Sequence, residues 1–196
     1  MNFPSTISNE EVARLPKIRF EGRIVVVERQ EEAERACAEI LRHRVVGFDT
    51  ETRPSFVRGK TYRVSLLQLS TGDCCYLFRL NRIGLRRPLV DILTSEAVKK
   101  VGLATQGDMR SLKALRRFNP RGFIDLQSIV SGYGISELGL RKLAAIVVGG
   151  RLSKAQRLSN WEAAELTESQ KIYSATDAWV ALEIYRHRGK YNVSCS

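Results

Sequence analysis

The chain has 196 residues, of which 43% are hydrophobic, so one domain of ordinary size can bury its core without disulfide or metal staples. Its 32 Lys and Arg against 21 Asp and Glu give a net charge of +11, which favours a polyanionic partner, either nucleic acid or an anionic membrane surface. No apolar run reaches the roughly 18 residues of a membrane span, and acids stand where a signal peptide would be apolar. We therefore expect a cytoplasmic protein with no membrane partner.

The first half of the chain alternates between strand and helix patterns. Residues 1–18 are predicted to be an N-terminal arm, and residues 19–196 a single domain, because no linker or repeat interrupts them. A β-branched strand is predicted at 23–28, and a helix at 31–44, whose acidic start and basic end suit the helix dipole. Three strands separated by turn signals follow at residues 45–52, 63–70 and 74–78.

The second half is predicted to be mainly helical. A short helix at 87–93 leads to a strand at 99–104 and a helix at 106–118, and the chain from Asp125 onward is predicted to be helical throughout. Strands interleaved with helices predict an α/β domain of three layers with a mixed sheet. In such a domain, functional residues lie at strand ends and at the helix starts next to them.

Asp49 and Glu51 at the end of the strand at 45–52 are the first candidate site. Side chains alternate across a strand, so both carboxylates point to the same face. Two like charges at the end of a buried strand need a compensating cation or a shared proton, and a hard divalent metal is the usual one. The alternative is that both side chains point into solvent where the strand leaves the sheet.

Two further acids lie in the helical part of the sequence. Asp108 stands in the first turn of the helix at 106–118, where an acid ordinarily does no more than favour the helix dipole. The last helix opens with the capping box Thr167-x-x-Gln170, which places Asp177 as a single charge in an apolar stripe. Tyr173 precedes Asp177 by one turn and brings a phenol beside it. The alternative for Asp177 is an ion pair with an arginine.

In combination, these segments resemble the DEDD superfamily of 3′-5′ exonucleases, in the variety whose third motif is Tyr-x-x-x-Asp. Asp49 and Glu51 in FDTET match its first motif, Asp108 in GLATQGDMRSL its second, and Tyr173 with Asp177 in YSATDA its third. The resemblance covers roughly residues 24–185 and implies a ribonuclease H-like three-layer α/β/α fold with a mixed central sheet.

The region between the second and third motifs is similar to the helical segment of ribonuclease D and of Werner-type exonucleases. This similarity includes Lys154 and the Ser159-x-Trp161 pair. The histidine variety of the superfamily would place its histidine where Ile172 stands, so the tyrosine variety fits better.

The resemblance implies a two-metal mechanism that releases nucleoside 5′-monophosphates from a 3′ end. Two Mg²⁺ or Mn²⁺ ions would be bridged by Asp49. Glu51 and Asp177 would complete the shell of one ion, and Asp108 would hold the other partly through water. Tyr173 would orient the attacking water, because an ordinary phenol with a pKa near 10 is a poor base.

Basic and aromatic residues outside the motifs are candidates for contact with a DNA or RNA strand. Phosphate contacts of this kind position a strand without reading its sequence. Thr50 would touch the terminal nucleotide through its backbone, and Phe56 by stacking, although Phe56 also suits a core position. The candidates for phosphate contacts are Arg110, Lys113, Lys154 and Arg157.

Other classes of function fit the sequence less well. None of the cysteines, Cys37, Cys74, Cys75 and Cys195, stands in CxxC spacing, which argues against a zinc site or a disulfide framework. The main alternative is a catalytically silent nucleic-acid-binding or scaffold domain that keeps the exonuclease fold. The presence of all five motif residues argues against it, and the sequence leaves the oligomeric state open.

Overall fold

The apolar and β-branched segments of the sequence pair into one six-stranded sheet in the computed structural model, which describes residues 3–187. The strands are β1 (Arg23–Val27), β2 (Val45–Thr52), β3 (Val64–Ser70), β4 (Cys74–Arg79), β5 (Lys99–Gly102) and β6 (Phe123–Asp125). Their order across the sheet is β1-β4-β3-β2-β5-β6. Strand β3 runs antiparallel to β2 and β4, and the other neighbours are parallel, so the sheet is mixed as predicted.

Helices cover both faces of this sheet. They are α1 (Asn9–Arg14), α2 (Gln30–Ile40), α3 (Leu80–Ile83), α4 (Arg87–Thr94), α5 (Thr105–Leu115), α6 (Leu126–Val130), α7 (Leu140–Leu143) and α8 (Glu168–His187). A 3₁₀ turn (Ser131–Tyr133) follows α6, and a π-helical turn (Ala144–Val148) continues α7.

Two apolar layers hold the helices to the sheet. Phe48, Leu67 and Leu69 pack with the buried sides of α2, α3, α4 and α5 on one face. Leu66 and Leu77 pack against α8 on the other face, where α6 and α7 also contact α8 and β5. The predicted three-layer α/β architecture is therefore confirmed.

The second half departs from the prediction at β6, and the helix predicted from Asp125 onward is interrupted at residues 134–139 and 149–167. Strand β6 was not predicted, because its three residues are too few to show a pattern and it is placed only by pairing with β5. Residues 149–167 form turns rather than a helix, so that part of the prediction is wrong. Gly149 breaks the helical path with a positive φ of 75°, and long-range contacts fix the loop beyond it.

A buried lysine in β5 contacts the connection between helix α4 and strand β5. The ammonium group of Lys100 is fully buried and donates to the carbonyl oxygens of Ile92 (2.9 Å), Ser95 (2.6 Å) and Val98 (2.7 Å). These carbonyls lie at and after the C-terminal end of α4, where helix carbonyls lack intrahelical partners. Lys100 thus supplies a donor to the Ser95 and Val98 carbonyls and a second donor to Ile92, whose carbonyl also accepts from the Ser95 N–H at 3.2 Å.

The N-terminal arm packs on the loop that follows the π-helical turn. Helix α1 begins with a capping box between Ser8 and Glu11. The chain after α1 forms a parallel bridge between Lys17 and Arg151, and the Arg151 side chain donates to the carbonyl of Leu15 at 2.9 Å. The arm therefore contributes to the surface around residues 149–157.

The predicted domain boundary and the C-terminal residues are not tested by these contacts. The division into an arm (1–18) and a domain (19–196) stays a prediction, and residues 188–196, including Cys195, lie outside the described residues. Within residues 3–187, no helix is both long enough and apolar enough to cross a bilayer.

Candidate metal centre and nucleic-acid groove

Strand β2 presents two carboxylates toward α8. Antiparallel pairing sets Asp49 opposite Gln68 and Glu51 opposite Leu66, so these side chains share the face that α8 covers. Gly47, two residues before Asp49, makes this possible, because a Cβ built there would lie 1.9 Å from the carbonyl oxygen of Ala178 in α8. The missing side chain lets the helix backbone rest directly on the strand.

Helix α8 brings the tyrosine and the third carboxylate to β2. The predicted capping box fixes its start: the Thr167 N–H donates to Gln170 Oε1 (2.9 Å) and the Gln170 N–H donates to Thr167 Oγ1 (3.2 Å). Asp177 immediately precedes Ala178, the residue that touches Gly47. The close contact between helix and strand therefore also sets the distance between Asp177 and Asp49.

The loop at residues 149–167 supports Tyr173 from the other side. The Trp161 ring is fully buried and packs against the Tyr173 ring with centroids 6.1 Å apart. Buried Arg79 fastens this loop to the sheet by donating to the carbonyl of Ala163 and, at 3.3 Å, to that of Ala164. In the sequence, Trp161 stands out only as part of the similarity to ribonuclease D. The structure shows that its ring packs against Tyr173.

Three carboxylates converge into one cluster. One ligand oxygen from each of Asp49, Glu51 and Asp177 lies within 4.8 Å of the other two. No Lys or Arg within residues 3–187 forms an ion pair with any of them. An all-oxygen donor set of this charge suits a hard divalent cation such as Mg²⁺ or Mn²⁺. The cluster excludes the alternatives in which these acids point separately into solvent or pair with an arginine.

Asp108 lies beside this cluster rather than in it. Its Oδ1 accepts a hydrogen bond of 2.5 Å from the Thr50 hydroxyl, on the opposite face of β2 from Asp49. The Thr50 N–H donates to Asp49 Oδ1 at 2.9 Å, so one residue contacts both acids. The structure thus gives Thr50 a structural task that the sequence did not indicate, and its predicted contact with a nucleotide stays a prediction.

A strained corner and a further acid place Asp108. Ala104 adopts φ 51° and ψ 38°, and within residues 3–187 it is the only residue other than glycine with a positive φ. Asp125 holds this corner, since its carboxylate accepts from the N–H groups of Ala104 (3.0 Å) and Thr105 (2.9 Å). Sequence reasoning missed Asp125, whose position at the end of the short β6 became visible only with the fold.

Burial raises the pKa of every acid in the site, and repulsion between the acids adds to the rise for Asp49 and Glu51. Burial first, then the charges of neighbouring acids, raise the pKa of Asp49 well above its usual range and that of Glu51 to about 10. Burial raises the pKa of Asp177 to about 7, although hydrogen bonding from Tyr173 opposes the rise. When no cation is bound, the raised pKa values favour the protonated acids, and metal binding must displace the protons that they hold.

Asp108 and Tyr173 follow the same pattern. Burial raises the pKa of Asp108, while its hydrogen bond from Thr50 lowers it. Burial and then the charge of Asp177 raise the pKa of the Tyr173 phenol above its ordinary value. Tyr173 is therefore protonated near neutral pH and can donate a hydrogen bond.

The predicted nucleic-acid contacts fall into separate places. Lys154 and Arg157 line a cavity of about 420 Å³ that also contains Tyr173 and Asp177. Arg110 and Lys113 line a different depression on the outer side of α5, which none of the clustered carboxylates lines. Phe56 lies in the loop after β2 and is 81% exposed, so the core position considered for it is excluded.

Comparisons with known proteins agree with this geometry. A family described as 3′-5′ exonuclease matches residues 24–188. The bifunctional 3′-5′ exonuclease/ATP-dependent helicase WRN of Mus musculus is 35% identical over 153 residues, covering 74% of this chain and 11% of that protein. Ribonuclease D of Granulibacter bethesdensis is 29% identical over 173 residues, covering 85% of this chain and 42% of that enzyme.

Solved structures share the fold. The Aedes aegypti Nibbler EXO domain superposes with a TM-score of 0.78 at 25% identity, covering 95% of this chain and 92% of that one. Ribonuclease D of Escherichia coli gives a TM-score of 0.72 at 22% identity, covering 87% of this chain and 46% of that one. The predicted ribonuclease H-like fold is confirmed. The chain spans only about a tenth to a quarter of the length of the first curated relatives it matches.

Proposed function

Because this chain belongs to the 3′-5′ exonuclease family, we propose that it is an active, divalent-metal-dependent nuclease that shortens nucleic acid from the 3′ end and releases nucleoside 5′-monophosphates. One observation carries the proposal: Asp49, Glu51 and Asp177 meet within 4.8 Å beside Tyr173. Acids gathered at this energetic cost, without a basic partner in the described chain, are compensated by bound cations.

The carboxylates divide between two cation positions in this proposal. Asp49, Glu51 and Asp177 would hold one ion. Asp108, on the far side of Thr50, would hold the other together with Asp49, in part through water. When bound, Mg²⁺ or Mn²⁺ supplies Lewis acidity that activates a water near neutral pH and stabilises the charge developing on the phosphate.

Tyr173 acts on the nucleophile by position. Its phenol keeps its proton because burial and the nearby acids raise its pKa, so it orients a water by hydrogen bonding rather than by acting as a base. Its ring is held between α8 and the buried Trp161, which limits the rotamers open to it. A phenol held in one position reduces the entropy that is lost when the attacking water is aligned with the phosphate.

Substrate and location are part of the same proposal. The net charge of +11 and the basic residues Lys154 and Arg157 beside Tyr173 support a DNA or RNA strand as substrate, bound mainly through its phosphates. We place the protein in the cytoplasm, with residues 19–196 as the nuclease domain and residues 1–18 as its arm.

Digestion of 5′-labelled DNA and RNA oligonucleotides, single-stranded and with recessed 3′ ends, tests the proposal. With Mg²⁺ or Mn²⁺ we expect a ladder that shortens from the 3′ end and mononucleotides with a 5′-phosphate, and with EDTA we expect intact strands. Asp49→Asn and Asp177→Asn should remove activity while circular dichroism stays unchanged.

Asp91→Asn is the matched control, since Asp91 pairs with Arg87 on the surface of α4. Full activity in Asp49→Asn or Asp177→Asn would overturn the proposal. Binding of strands without any shortening, with either metal, would favour the silent binding domain instead.

A further inference from the structure

Arg141 lines the same cavity as Tyr173 and Asp177. It is the second residue of α7, and it lines the 420 Å³ cavity together with Lys154 and Arg157. The sequence pattern does not select Arg141, because it lies between the second and third motifs and no motif residue falls on it. Its position became visible only when α7 packed beside α8.

The guanidinium of Arg141 lacks a partner within the described residues. Its Nε is buried and has no hydrogen-bond acceptor, and no ion pair of this residue occurs within residues 3–187. Lys142, the next residue, shows the contrast, because its ammonium lies 2.7 Å from Glu137 Oε1. Desolvating a cationic donor without an acceptor costs free energy that an anionic ligand with oxygen acceptors would return.

The cavity separates this cation from the acidic cluster. Arg141 and Asp177 line the same space yet lie too far apart to form an ion pair. A ligand that bridges them must therefore have an anionic group for Arg141 at one end and a group that approaches the metal-binding carboxylates at the other. A nucleic-acid backbone offers two such groups, with one phosphate in reaction and the next along the strand.

Building on the proposed function, we propose that Arg141 binds the non-bridging oxygens of the backbone phosphate immediately 5′ of the scissile phosphate. A guanidinium offers two parallel N–H donors to such a phosphate, which a lysine cannot do. Arg141 is thus a substrate-positioning residue that fixes how far the strand enters the site. Lys154 and Arg157, which are exposed, provide the less directional charge of the same groove.

Binding of a fluorescent single strand in EDTA tests this assignment apart from catalysis. We expect Arg141→Met to weaken binding roughly 10-fold or more and to reduce the salt dependence by about one phosphate contact. Arg141→Lys should recover part of the loss, and Lys142→Met, at the neighbouring paired cation, should change binding far less. Equal losses in Arg141→Met and Lys142→Met would overturn the proposal.

Neutral phosphate substitution locates the contact. A methylphosphonate placed one linkage 5′ of the terminal phosphodiester should weaken binding to the natural chain, but should have little further effect on Arg141→Met. A methylphosphonate three linkages further should weaken both proteins equally. Independent, additive losses at the first position would refute a contact between Arg141 and that phosphate.

Thermal unfolding excludes a merely structural role. Removal of an unpaired, partly desolvated cation should leave the unfolding temperature of Arg141→Met unchanged or raise it, whereas loss of a structural contact would lower it. If the natural chain binds strands but fails to shorten them with any metal, the proposed function fails while the binding result still decides the role of Arg141.

Discussion

Gly47→Ala probes how the contact between β2 and α8 produces the metal centre. The new Cβ would lie 1.9 Å from the Ala178 carbonyl oxygen and 2.8 Å from its carbonyl carbon, and real Cβ contacts under 3.0 Å essentially do not occur. Both neighbours are backbone atoms, so no side chain can rotate away. To bring the 1.9 Å contact to 3.0 Å, the helix must retreat from the strand by about 1 Å, a backbone shift of the kind that overpacking forces.

Two consequences follow, and they differ in size. Overpacking of this kind costs about 1–3 kcal/mol of unfolding free energy, which a domain of ordinary stability survives. Asp177 adjoins Ala178 and moves with it, and a displacement of about 1 Å in a catalytic group can cost roughly 10²-fold in rate. We therefore expect a folded protein with about 100-fold lower turnover and weaker Mn²⁺ binding.

Urea unfolding measures the loss of stability, Mn²⁺ titration the loss of metal affinity, and single-turnover digestion the loss of rate. Gly132→Ala is the matched control, because a Cβ at Gly132 meets nothing within 4 Å and its φ is ordinary. Gly47→Ala with natural metal affinity and rate, together with natural stability, would refute the reasoning that this close contact sets the distance between the carboxylates. Lower stability with natural rate and metal affinity would show that α8 shifts without displacing Asp177.

Three further predictions concern protons, the phenol and the buried lysine. The pKa of Asp177 in the folded chain is about 7 against an ordinary 3.8, so the folded state binds more protons than the unfolded state in that window and its stability falls as pH rises through it. The unfolding temperature in EDTA should accordingly be lower at about pH 7.5 than at about pH 5, Mn²⁺ should raise it most at the higher pH, and a flat profile that Asp177→Asn leaves unchanged would contradict this. Tyr173→Phe should slow single-turnover cleavage by about 10²-fold with little change in Mn²⁺ affinity, a smaller loss than in Asp177→Asn, and an equal loss would mean that the phenol does more than orient water. Lys100→Met should lower the unfolding free energy by about 2 kcal/mol in urea, because it removes the Lys100 donor from the Ser95 and Val98 carbonyls and leaves Ile92 with the Ser95 N–H alone, while activity per folded molecule stays natural.

The sequence pattern predicted those elements whose structure depends on a single segment of the chain. The strand predicted at residues 45–52 has the same bounds as β2. Its side chains alternate between the two faces of the sheet, so one pairing register buries Phe48. The capping box before α8 fixed the phase of that helix, and with it the shared face of Tyr173 and Asp177. These two elements supply four of the five predicted catalytic residues.

Contacts between distant segments explain what the sequence could not show. Asp108 depends on a left-handed Ala104 that Asp125 stabilises from 20 residues away in the chain. Sequence pattern carries no signal for such a hydrogen bond, because either residue alone looks like an ordinary cap. The loop at residues 149–167 was misassigned for the same reason, since Arg79 of β4, not local propensity, determines its path.

The electrostatics of the site separate an active nuclease from a silent binding domain. One oxygen from each of Asp49, Glu51 and Asp177 lies within 4.8 Å of the other two in a groove that must accept phosphates, so whichever of these acids is ionised without a bound cation would repel the substrate. Divalent ions reverse that repulsion, and by linkage the factor by which Mn²⁺ tightens strand binding equals the factor by which the strand tightens Mn²⁺ binding. A silent domain that holds strands only through basic residues such as Lys154 and Arg157 has no such coupling. Because Asp49→Asn weakens the metal site but leaves those basic residues in place, it should remove the coupling while strand binding in EDTA persists or improves.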